Sequence, residues 1–344
     1  MPHPPQSKNS REAFVVLIIF IVAVFFRFYD FSSYMFWSAI VGVVSVLGIY
    51  LLCKQLFGNW HMAAMTSYLT AISFWHVTLS RLDDCRILAL LLMLLSVYFF
   101  WKGKTTTHFV DCALAGILLG VSIYYYPNAW LMVFVILVVM LGHLYVLKKD
   151  FSHEKYIRLR DRTIKGFALL MVTGIIVCLP LIWKIVMHTD QFVSSIHNYY
   201  FKFPFISGSL TQLIWPIGIL FIIGFLRSIV KLLITRRHHG HFSTLQLLFV
   251  CWFVVGLISM FIVNYFKLDG LELILILSPV LIFAGEGLWW IHEYIRKYHI
   301  VPENLFVANL VIIILLFAIT LFNFNNLNKS YEPLRAFVSS YDSR

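Results

Sequence analysis

The sequence predicts an all-α, polytopic transmembrane helical bundle of about eleven spans, with its N-terminus in the cytoplasm and its C-terminus outside. Three observations predict it. First, the chain is 60% hydrophobic and only 12% charged, about half the roughly 25% charge of soluble domains, and its mean hydropathy is +0.84. Second, apolar runs near the length of a bilayer crossing follow one another along almost all of its 344 residues. Third, Lys and Arg fall unevenly on the connections between those runs. A single soluble core cannot bury so much apolar surface, so lipid covers the remainder.

A span needs about 20 mostly apolar residues, and a helix is the open-chain way to satisfy the backbone in lipid. The first run, 13–29, follows a polar start with Lys8 and Arg11 and lacks a small-residue cleavage site. It therefore reads as a retained helix and not as a removed signal. The next runs are 35–53, 62–80, and two short ones at 87–101 and 112–127. Then come 128–147, 166–186, 211–233, 244–264, 271–291 and 304–323. Residues 1–12 form a cytoplasmic segment, 13–325 the membrane domain and 326–344 an extracytoplasmic tail.

With the N-terminus inside, two thirds of the 27 Lys and Arg lie on cytoplasmic connections, seven of them between Lys148 and Lys165. This is the positive-inside pattern. It also explains the net charge of +11 without any nucleic-acid partner. The stretch KKDFSHEKYIRLRDRTIK from Lys148 reads as the longest cytoplasmic loop, lying against anionic headgroups. The longest outer loop is expected at about 187–210. Most Trp and Tyr fall at expected span ends, as an interfacial belt does. The five cysteines are scattered through apolar runs with no CxxC spacing, so neither a disulfide framework nor a zinc site is indicated.

Ionisable residues near the membrane mark candidate chemistry. The densest group is Ser80-Arg81-Leu82-Asp83-Asp84-Cys85-Arg86, between the third and fourth runs. Asp83 and Asp84 suit a base that deprotonates an acceptor, and Arg81 and Arg86 suit cations that hold a phosphate. The alternative is a self-neutralising turn whose arginines anchor headgroups. Secondary candidates are Asp30, the group Lys267, Asp269 and Glu272, and His76, the last better read as a hydrogen-bonded structural histidine. No Walker, GxGxxG, HExxH or GxSxG motif occurs, which leaves ATPases, dinucleotide enzymes, zincins and α/β-hydrolases unsupported.

The stretches Ser38 to Gly58, Leu69 to Arg81, Leu94 to Gly103 and Leu277 to Ile291, with the opening FRFYDFSSY, resemble the membrane core of GT-C glycosyltransferases. The nearest branch is the protein-mannosyltransferase and aminoarabinose-transferase-like group, and the resemblance covers most of residues 14 to 325. It implies a membrane transferase using a polyprenyl-phosphate-linked sugar donor on the extracytoplasmic side. A carboxylate activates the acceptor and basic residues stabilise the departing phosphate. It implies no nucleotide or organic cofactor, and leaves room for a divalent cation. The acceptor, and whether the sugar is a hexose or a pentose, are not readable.

The chain departs from the family in three places. The family's first outer loop is long and carries an acidic catalytic motif, whereas about eight residues, Arg27 to Tyr34, separate the first two runs here. Asp30 belongs to the FRFYD stretch, so the catalytic role is not transferred to it. Leu268-Asp269-Gly270-Leu271-Glu272 stands where relatives often carry Pro-His and Arg. The chain also stops at Arg344 where many relatives continue into a soluble domain. It therefore reads as a shortened relative. The transferase competes with a catalytically degenerate GT-C-like protein that binds polyprenyl lipid or supports a partner enzyme, and thirdly with a transporter. All three readings place it in a membrane as a multi-pass protein, a cell membrane in a prokaryote and the endoplasmic reticulum in a eukaryote.

Overall fold

Every apolar run expected to span is helical, and the breaks between helices fall where the backbone chemistry changes. The computed structural model describes residues 6–29, 36–81, 85–106, 108–150, 152–187, 216–235, 240–265, 273–298 and 304–342. In chain order the helices are α1 (Gln6–Phe28), α2 (Phe36–Phe57), α3 (Trp60–Ile72), α4 (Phe74–Arg81), α5 (Cys85–Thr106) and α6 (Phe109–Tyr125). They continue with α7 (Leu131–Asp150), α8 (His153–Met187), α9 (Ile217–Thr235), α10 (Gly240–Tyr265), α11 (Leu273–Tyr298) and α12 (Asn304–Asp342).

Gly58 ends α2 with φ 63°, a left-handed conformation that costs glycine little, and its N–H closes on the Lys54 carbonyl at 3.0 Å. The Asn59 side chain then accepts the His61 N–H at 3.0 Å and caps α3. Pro127 opens a short 3₁₀ turn that joins α6 to α7.

Two expectations need correction. The third run is not one helix: it breaks at Ser73, whose ψ of 122° is extended, and α4 restarts with the Val77 N–H on the Ser73 carbonyl at 2.9 Å. The basic stretch from Lys148 is not a loop either. It ends α7 and forms the first turns of α8, with Ser152 between them. Its mixture of Lys, Arg and Glu with Tyr156, Ile157 and Leu159 lets a helix present separate polar and apolar faces. The expected outer loop at 187–210 lies, apart from Met187, outside the described residues. The C-terminal segment continues α12 as helix to Asp342.

Among the described residues, six helices are long and apolar enough to cross a membrane by length and composition, and Phe109–Tyr125 and Thr244–Met260 are apolar but shorter. The protein is an integral multi-pass membrane protein. Its helices approach closely where glycine removes the side chain. Gly116 and Gly120 of α6 face α8, where a Cβ on Gly116 would sit 2.2 Å from the Leu170 carbonyl oxygen. Gly224 of α9 lies so close to α11 that a Cβ would sit 1.8 Å from the Phe283 carbonyl oxygen.

Close packing at α9–α11 also encloses charge. Lys231 Nζ lies 2.6 Å from Glu286 Oε1, and Glu286 is buried. Ser228 Oγ lies 2.6 Å from both Glu286 Oε2 and Gln246 Oε1. One hydroxyl proton cannot serve two acceptors. The Gln246 amide is therefore better turned to offer its NH₂ to Ser228, which also gives its otherwise unpartnered nitrogen an acceptor.

Candidate functional site

The ends of α1 and α4 and the starts of α2 and α5 lie together at one end of the bundle, and that end gathers buried polar side chains. Arg27 sits one residue from the end of α1, fully buried. Its Nη1 donates to the carbonyls of Ala23 at 3.0 Å and Ala71 at 3.3 Å. Its Nη2 lies 2.6 Å from His76 Nδ1. Guanidinium nitrogens only donate, so His76 Nδ1 accepts and its proton is on Nε2. That Nε2 lies 2.9 Å from Ser45 Oγ, and the Ser45 hydroxyl donates to the Gly42 carbonyl at 2.8 Å. His76 is therefore a neutral link that holds Arg27 in place.

Gly42 makes this possible. A Cβ there would lie 2.3 Å from Ser80 Cβ and 2.8 Å from Arg27 Nε, so α2 reaches α1 and α4 only because that side chain is missing. Arg27 Nε finds no hydrogen-bond partner, and no carboxylate pairs with Arg27 among the described residues.

Arg81 closes α4 and turns back onto the end of α1. Its Nη2 donates to the Phe26 carbonyl and, at 3.0 Å, to the Tyr29 carbonyl, the residues flanking Arg27. Arg86, the second residue of α5, is also buried. Three guanidiniums thus share one end of the bundle, two of them anchored on backbone carbonyls. The Phe25, Phe26 and Tyr29 rings meet Phe324 of α12 with centroids 5.2–6.0 Å apart. The last long helix is thereby tied to this same end.

Of the residues singled out in the sequence, the structure brings His76 and Arg81 onto the end of α1 and buries Arg86 nearby. Asp30, Asp83, Asp84, Lys267, Asp269 and Glu272 lie outside the described residues. Sequence reasoning missed Arg27, Ser45 and Gly42. Arg27 did carry a signal: it is a cation at the end of an apolar run, on the side where the sequence leads one to expect few cations.

Residues 13–183 match the family model described as dolichyl-phosphate-mannose-protein mannosyltransferase. The chain belongs to the GT-C group of membrane glycosyltransferases. The matched stretch is about half the chain, runs from α1 into α8, and contains Arg27, Gly42, Ser45, His76, Arg81 and Arg86. No curated protein matches the chain. Within this GT-C protein the buried guanidiniums form a fixed positive region on rigid helix ends. Such a region favours an anion whose charge grows during reaction, because the dipoles and charges are already in place.

Proposed function

We propose that this GT-C protein moves a sugar from a polyprenyl-phosphate-linked donor to an acceptor at the extracytoplasmic end of the bundle, the end that carries Arg27, Arg81 and Arg86. In this reading eleven segments cross the membrane and the N-terminus is cytoplasmic. The observation that carries the reading is the burial of three arginines at one end of the segment that matches the mannosyltransferase family.

The acceptor hydroxyl oxygen attacks the anomeric carbon as the bond from that carbon to the phosphate oxygen breaks. The hydroxyl proton passes to Asp83 or Asp84, and the new negative charge stays on the lipid phosphate. Arg81 and Arg86 hold that phosphate, and Arg27 behind them adds to the positive potential. Pairing a phosphate with arginine forks supplies orientation as well as energy.

Transfer of labelled sugar from a polyprenyl-phosphate donor by the purified chain tests the reading. The expected result is transfer that Asp83→Ala or Asp84→Ala lowers by roughly 10²–10⁴-fold, the usual contribution of a general base. Full activity in both variants overturns the assignment of the base. A protein that binds no polyprenyl phosphate supplied in excess overturns the transferase reading itself.

One observation favours a second reading. α1 ends at Phe28 and α2 begins at Phe36, so the connection is too short for the long acidic loop that the resemblance leads one to expect there. A catalytically degenerate protein that binds polyprenyl lipid, or supports a partner enzyme, fits that connection. Sugar transfer by the purified chain alone excludes this alternative.

A further inference from the structure

The opposite end of α5 carries a second cationic feature that the transfer reading does not use. Arg86 is the second residue of α5 and Lys104 the third from its end, so at about 1.5 Å per residue they stand roughly 27 Å apart along the helix. Lys104 Nζ lies 3.9 Å from the centroid of the Trp101 ring. It is shielded from solvent and has no hydrogen-bond partner among the described residues.

Its neighbour differs. Lys102 is neutralised by Asp111 at 3.1 Å, and the other oxygen of that carboxylate takes the Thr106 hydroxyl at 3.3 Å. No carboxylate pairs with Lys104 among the described residues. A buried ammonium without a counter-ion is costly, and the ring face offsets only part of that cost.

Lys104 lines a narrow cleft between α5, α6, α7 and α8 of about 60 Å³. His108, His143, Arg162 and Thr163 share its wall, and among the described residues no carboxylate does. Most of the remaining wall is apolar, including Phe100, Met140 and Phe167. Beside the cleft, α6 exposes Val110 (70%) and α8 exposes Ile164 (44%). An anionic head and an apolar tail are what such a wall and rim complement. A free phosphate ion uses only half of it.

We propose that this cleft binds the phosphate headgroup of one anionic phospholipid from the leaflet at that end. Lys104 and Arg162 hold the phosphate oxygens, and the acyl chains run over the exposed faces of α6 and α8. The site lies at the opposite end of α5 from the arginine cluster and does not depend on sugar transfer.

Native mass spectrometry of the full chain in detergent tests it, with dioleoyl-phosphatidylglycerol, dioleoyl-phosphatidylcholine or inorganic phosphate added separately. The expected result is retention of a single phosphatidylglycerol, with phosphatidylcholine held about tenfold more weakly. Lys104→Met and Arg162→Gln should each weaken phosphatidylglycerol about tenfold, the loss expected for one charge-assisted hydrogen bond. Arg162 is exposed, so Arg162→Gln keeps the test decisive if Lys104→Met fails to fold. Equal affinity for the two lipids, or unchanged affinity in the variants, overturns the proposal. Saturation by inorganic phosphate alone overturns its lipid part and makes the cleft a free-phosphate site.

Discussion

Arg27 is held by two backbone carbonyls and one imidazole, and the imidazole is held in turn by Ser45. Removing a link leaves a buried cation short of an acceptor. His76→Ala is expected to destabilise the protein by about 1–3 kcal/mol, the range for losing a hydrogen bond to a charged group. Ser45→Ala should cost about 0.6 kcal/mol, the average for a polar contact between membrane helices. Thermal unfolding in detergent ranks the two, and a Ser45→Ala effect equal to that of His76→Ala contradicts the order of the chain. A second residue-scale prediction concerns Glu12, just before the first run. The Lys54 ammonium and then the Tyr50 hydroxyl bond its carboxylate and hold its pKa below the usual carboxylate range. A lowered folded-state pKa means stability that is present above the unfolded value and lost as pH falls through the folded one. The difference in unfolding temperature between the native chain and Glu12→Gln should therefore be present at pH 7 and disappear in acid. Because the carboxylate is partly exposed, the difference is on the order of 1 kcal/mol or less.

At the scale of elements, helix contacts depend on missing side chains and on ion pairs between helices, Lys231–Glu286 among them. Gly224→Ala places a methyl group where the Phe283 carbonyl stands, so α9 must move off α11. Overpacking of this kind costs about 1–3 kcal/mol or more, and a lower unfolding temperature with a smaller monodisperse fraction is the expected readout. Lys231→Met leaves the buried Glu286 carboxylate unpaired, at about 3–5 kcal/mol, Glu286→Gln leaves the half-buried Lys231 and should cost less, and the double variant should recover much of the larger loss. Additive losses in that cycle exclude a coupled pair. Helix existence was legible from the apolar runs alone, since the described residues of the eleven runs fall on helices, the third run on two. The break at Ser73 was not, because FWHVTL continues the apolar pattern through it. The helical turns on either side of Ser152 were missed because charge was read as loop. Gly116 and Gly120 stood in plain GxxxG spacing and were overlooked.

For the whole molecule, the proposed eleven crossings from a cytoplasmic N-terminus would put the C-terminal end of α12 outside. A cysteine placed at Ser343, in a background without native cysteines, should react with a membrane-impermeant maleimide on sealed, right-side-out vesicles. Protection until the membrane is opened reverses the orientation. At this scale the group was legible because many weakly specific positions agree over a long stretch, as the match over residues 13–183 does. The site was legible only in part. Arg81, Arg86 and His76 stood out as charged or polar groups in apolar surroundings, but Arg27 meets His76 across 49 residues of chain. No local pattern reports a contact at that separation. Ser45 and Gly42 look like ordinary small residues of a span until α1 and α4 are placed against them.

The direction of the hydrogen bonds from Arg27 has a consequence for proton traffic. Arg27 gives to His76, His76 gives to Ser45, and Ser45 gives to a peptide carbonyl that cannot pass a proton on. The chain is a dead end, not a wire. A proton taken up by Asp83 or Asp84 in the proposed reaction therefore has no relay through this chain. A transfer reaction run in mixed light and heavy water should then show a linear proton inventory, the signature of one proton in flight.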